Sequence, residues 1–146
     1  MIKSNIKLIS IIFIICLTTA SFSKENFFEE GVKLFNKKKY SEAKFFLERS
    51  IVFDPKHADS YLYLAKIYKE EKDQKKEEKN LETTLMIEPG NEEAILMMMQ
   101  IGIEKTNYSE VKKLSIRFQN VCKSLCEENN KILKDLENLE PKNNES

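Results

Sequence analysis

The chain has 146 residues, enough for one domain with a modest core. Its 24 Lys and Arg balance 24 Asp and Glu, so there is no basic excess to favour nucleic acid and no acidic tail. A third of the residues are charged, only three Gly and three Pro interrupt them, and Trp is absent, which is the profile of a soluble and mostly helical protein.

The N-terminus departs from that profile. Residues 1–7 carry two lysines, residues 8–17 read LISIIFIICL with one polar member, and TTASFS follows before Lys24. A basic start, an apolar centre and a small-residue end make a secretory signal peptide over residues 1–23, with cleavage after Ala20 or Ser23. The competing reading is an uncleaved N-terminal membrane anchor. Residues 8–23 offer only 16 uncharged positions, five of them Ser or Thr, against the roughly 20 apolar residues that a spanning helix needs. A lipoprotein signal fits poorly, because Cys16 follows Ile15 inside the apolar run. Cleavage removes two lysines and no acids, leaving 22 basic against 24 acidic residues, a net charge of −2 and no integral span. The expected location is periplasmic or secreted.

From Lys24 onward the chain repeats itself. SIVFDPKHADSYLYLA (residues 50–65) is echoed by TTLMIEPGNEEAILMMM (residues 83–99), with Pro55 and Pro89 separated by 34 residues. Apolar residues recur at helical spacing, as in Phe27, Gly31, Leu34 and in Tyr61, Leu64, Ala65, Tyr68. Pro55 and Pro89 cannot continue a helix and close the units. Ser41 or Ser109, and Asp59 or Ser60, stand where helix caps are expected.

With Phe27, Gly31, Leu34, Tyr40, Ala43, Leu47, Ser50 and Pro55 in one unit, and Tyr61, Leu64, Ala65, Tyr68, Leu81, Thr84 and Pro89 in the next, the sequence resembles a tetratricopeptide repeat protein. The resemblance implies an all-α solenoid of three helix-turn-helix repeats, residues 24–57, 58–91 and 92–125, inside a domain over residues 24–140. Small Gly31, Ala43 and Ala65 then let paired helices approach. The second repeat departs from the pattern with Gln74 and Glu77 at an aromatic and an alanine position. The third departs with Met99 at a small position, Gly102 at an aromatic one and Lys123 at the closing proline.

Beyond the third repeat, Leu125, Ile132, Leu133, Leu136 and Leu139 form one apolar stripe, and Ser124 with Glu127 has capping-box spacing. A capping helix over residues 124–139 is expected to cover the open end. A single helix from about Ser109 is the alternative, since no Gly or Pro lies between Ile103 and Glu140. Residues 141–146 read as a disordered tail.

No constellation of catalytic or metal-ligating groups emerges, and no cofactor is implied. His57 is the single histidine and is expected in an exposed inter-repeat turn. Cys122 and Cys126 either form a disulfide across a helix break or pack as small apolar residues. The run at residues 69–80, KEEKDQKKEEKN, reads as a solvated hairpin tip. Met97, Met98 and Met99 read as core filler, with a soft binding surface as the alternative. The expectation is a non-enzymatic chain.

The resemblance also implies where a partner would bind. First helices line the concave groove of such stacks, and register places Phe28, Val32, Leu62, Tyr63, Lys66, Leu96, Met97 and Gln100 there. Members that grip a C-terminal carboxylate use a lysine–asparagine pair and further basic residues. Here the corresponding places hold Phe28, Val32, Met97 and Glu93, which implies an apolar stripe with acidic edges, suited to an amphipathic helix or an aromatic-bearing peptide. Packing of Phe28, Leu62 and Leu96 between adjacent helices is the competing reading. The expected function is a protein-binding scaffold outside the cytoplasm, with a self-assembling structural envelope protein, a homo-oligomer, as the alternative.

Overall fold

The computed structural model describes residues 24–139. The expected export signal at residues 1–23, including Cys16, Ala20 and Ser23, and the expected tail at residues 141–146 lie outside the described residues. Among the described residues every regular element is a helix. They are α1 (Lys24–Asn36), α2 (Tyr40–Phe53), α3 (Ala58–Glu70), α4 (Gln74–Ile87), α5 (Glu92–Glu104), α6 (Tyr108–Val121) and α7 (Cys126–Leu139). First helices start at 24, 58 and 92 and second helices at 40, 74 and 108, in steps of 34. Cys126 lies another 34 after Glu92, so α7 takes the place of a fourth first helix. Each helix packs on its neighbours in sequence, and α7 rests on α6 and α5, so the hairpins form a linear stack.

The hairpin tips are built alike. Lys38, Lys72 and Thr106 take left-handed backbone, with φ of 58°, 59° and 54°. The next residue returns its N–H to the preceding helix, from Lys39 to Leu34, Asp73 to Tyr68 and Asn107 to Gly102, closing a Schellman-type end. Asp73 and Asn107 then cap the second helices, and Asn91 caps α5, each through its side-chain oxygen. This corrects the expected caps. Ser41, Asp59, Ser60 and Ser109 sit inside first turns, because the preceding turn places the capping position two or three residues earlier. Lys39 and His57 occupy that position without a side-chain capping bond.

Packing follows the exchange of large and small groups. A Cβ on Gly31 would lie 2.9 Å from the Leu47 side chain, so α1 and α2 touch only because that carbon is missing. The third hairpin inverts the pattern. A Cβ on Gly102 would come within 2.7 Å of Val111 Cγ2, and Val111 stands where Ala43 stands in the first hairpin. Bulk removed from one helix is added to its mate, and Val111, Leu114 and Phe118 are buried with Met99 and Ile95.

α6 and α7 are separate helices, with the break at residues 122–125. Cys122 and Cys126 are joined by a disulfide with a Cα separation of 5.4 Å. The Glu92 carboxylate accepts the backbone N–H groups of Lys123 (2.9 Å), Ser124 (3.1 Å) and Leu125 (2.8 Å). The expected capping box is not used, since the Ser124 hydroxyl donates to Glu92 instead. Disulfide and carboxylate together hold a turn that lacks the closing proline. Leu136 carries the α7 stripe into the core, whereas Leu139 is half exposed and leaves it.

Candidate protein-binding face

The first helices bring an aromatic ladder to one face. The Phe28 ring of α1 stands 5.6 Å from Tyr63 of α3, nearly perpendicular to it. Tyr63 meets Phe35 at 5.3 Å, and Phe35 meets Tyr40 at 5.8 Å. The two pairs made by Tyr63 are edge-to-face, a geometry that adds to area burial. All four rings are half-buried, so each keeps an exposed part. Phe35 follows Phe28 by seven residues on the same helix face, a spacing that would have revealed it as a further member.

Charge adjoins the ladder. Lys66 Nζ lies 4.4 Å from the centre of the Tyr63 ring and 2.8 Å from Glu93 Oε2 of α5. Further along, Gln100 bonds Glu104, and Gln100, Ile103, Asp135, Asn138 and Leu139 line a shallow cleft between α5 and α7. Exposed Glu29, Asp59 and Glu93 give the face acidic surroundings.

Register alone misplaces two residues. Leu62 is 4% exposed and Met97 is 9% exposed, both packed with Ala65, Leu81, Ala94 and Ile101. They seal the seam between the second and third hairpins and are closed to a ligand. Leu96 is half-buried against the neighbouring core that contains Met99, Val111 and Phe118. Phe28, Val32, Tyr63, Lys66 and Gln100 retain accessible surface. His57 is also corrected. It stands in the inter-repeat turn as expected but is half-buried: its ring packs 4.5 Å from Phe28, and its Nδ1 lies 3.0 Å from the Ser60 hydroxyl, which donates to Ser50.

At the hairpin tips a second cleft is lined by Lys69, Lys72, Gln74, Glu77 and Glu104. Gln74 takes the aromatic position and donates to Glu104 across the seam. Glu77 is buried, an exception to the solvated reading of its segment. Burial raises its carboxyl above the ordinary range, opposed by Lys69 and reinforced by Glu104 and Glu78. Among the described residues no group of three or more His, Cys, Asp or Glu could hold a metal ion.

No family model and no curated protein matches the chain in sequence. Solved structures match in shape. The first TPR of Spaghetti (RPAP3), bound to the HSP90 peptide SRMEEVD, aligns with a TM-score of 0.69 at 20% identity, over 80% of this chain and 94% of that one. The TPR2B domain of yeast Sti1, in a pHsp70 complex, gives 0.72 at 14% identity, over 80% and 98%. The TPR domain of Arabidopsis OM64 gives 0.64 at 18% identity, over 79% and 94%. The fold is that of a tetratricopeptide repeat domain. Within this TPR domain, α1 to α6 are three helical hairpins and α7 is the terminal helix that covers the last of them.

Proposed function

We propose that this TPR domain is a non-enzymatic interaction module that seats an amphipathic helix or aromatic-bearing peptide along α1, α3 and α5. The supporting observation is the half-exposed ladder of Phe28, Phe35 and Tyr63 with the Lys66–Glu93 pair beside it. Rigid aromatic edges give a partner apolar anchors at low entropic cost, and the pair supplies both signs of charge. Similar folds solved with an HSP90 peptide and in a pHsp70 complex support an interaction role for this fold. Phe28 and Val32, in the places held by lysine and asparagine in carboxylate-gripping relatives, argue against a terminal carboxylate as the handle. Acidic surroundings favour a segment with basic flanks.

The test is selection from a random peptide library, followed by fluorescence titration of the strongest binder. Phe28→Ala and Tyr63→Ala each weaken binding by roughly ten- to thirtyfold, as truncation of an interface anchor does, while the helical circular dichroism is kept. Unchanged affinity in both folded variants removes the face from the proposal. Export rests on residues 1–23. Intact mass of the protein from its native cells shows cleavage after Ala20 or Ser23 if the segment is a signal, and a retained N-terminus in the membrane fraction if it is an anchor.

A further inference from the structure

α2 carries a stripe that the stack does not cover. Glu42, Phe45, Arg49 and Phe53 follow one another at spacings of three and four, and the helix ends at Phe53. Phe45 is 56% exposed and Phe53 is 55% exposed, with Val52 beside them at 73%. Phe27 of α1 extends the patch, its ring stacked on Phe53 at 5.3 Å. The Arg49 guanidinium lies 5.7 Å from the rings of both Phe27 and Phe45. The second and third hairpins hold Lys79 with Ile87 and Lys113 with Val121 where the first holds Phe45 with Phe53, so the aromatic pair belongs to the first unit alone. A contiguous apolar patch of this kind marks an association surface.

We propose that two copies of the chain pair through this face, α2 against α2, antiparallel about a two-fold axis near Arg49. The order of the stripe matches its own reverse: Phe45 meets Phe53 of the other copy. Each Arg49 stays over its own Phe27 and Phe45, off the axis, where Glu48 of the other copy supplies counter-charge. Association stops at two. The opposite end of the stack is covered by α7, whose outward residues Lys131, Lys134, Asp135, Glu137 and Asn138 are polar. Head-to-tail growth would set aromatic rings against those charges, whereas an isologous pair is closed. The patch is small, so the dimer forms in the micromolar range. The pairing face lies on a second helix, apart from the ladder on the first helices, and does not rest on peptide binding.

The test is sedimentation of the full chain as purified from cells, over two decades of concentration through the micromolar range. A monomer–dimer equilibrium is expected. Phe45→Ser with Phe53→Ser abolishes it while the helical signal stays. Glu48→Lys and Arg49→Glu each weaken it by roughly three- to tenfold through paired like charges, and the double charge swap restores it. A monomer at every concentration overturns the proposal, as does a dimer indifferent to the two phenylalanines. So does a monomer that binds phospholipid vesicles through them, which assigns the face to a membrane surface.

Discussion

Among the described residues with left-handed backbone, Thr106 is the least comfortable. It repeats the left-handed backbone of Lys38 and Lys72 at φ 54°, but its branched Cβ suits that region worst. Thr106→Gly is expected to raise stability by about 0.5–1 kcal/mol, the relief of left-handed strain outweighing the added chain entropy; a thermal melt checks it. Asn129 is a second local fault. It stands 34 residues after Ile95 and is 2% exposed, and its Oδ1 finds no hydrogen-bond partner among the described residues. Asn129→Leu is expected to stabilise by about 1–2 kcal/mol, because the buried amide loses more on desolvation than it regains. A chemical denaturation midpoint that fails to rise would show that the oxygen is satisfied in solution.

Among the elements, the α6–α7 turn is the most specialised. Glu92 holds three backbone N–H groups there, and the bonds from Leu125, Ser124 and Lys123 keep its carboxyl below the ordinary value of 4.5. A depressed carboxyl stabilises the fold above its unfolded pKa, and that contribution disappears as pH falls through the folded value. Glu92→Gln should therefore melt at a lower temperature than the parent near neutral pH, with the gap closing as the pH is taken below the ordinary carboxylate range. Glu77 behaves in the opposite sense. Its raised carboxyl opposes folding once ionised, so Glu77→Gln should raise the melting temperature at neutral pH and lose that advantage in acid. Neither device is legible in the sequence. Glu92 acts on residues more than 30 positions away, and Glu77 lies in a run of charges whose other members face water. The helices themselves are legible, because Pro55, Pro89 and the spacing of small and large residues are local signals. The depth of Leu62 and Met97 is not, because it depends on the α3, α4 and α5 residues Ala65, Leu81, Ala94 and Ile101 meeting in one cluster.

At the scale of the whole molecule, stability passes along a line of neighbours. α7 supplies Leu136 to the third hairpin and covers Val111, Leu114 and Phe118. Ending the chain after Val121 is expected to expose that core, so the shortened protein should bind an apolar dye and lose protection from hydrogen exchange first in α5 and α6, with α1 and α2 lasting longest. Loss of protection at one common rate throughout would show a single cooperative unit instead. The arrangement also depends on two seams of matching geometry. Lys44 of the first hairpin pairs with Glu71 of the second at 2.6 Å, and 34 residues on, Glu78 of the second pairs with Lys105 of the third. The signs are reversed between these two equivalent sites.

That reversal gives each hairpin an address. A tandem copy of the middle unit would bring its Glu78 against a second Glu71, and direct apposition of the outer units would bring Lys44 against Lys105. Lengthening by simple duplication, a common route of growth for such arrays, would here start with a charge clash that only a compensating substitution could lift.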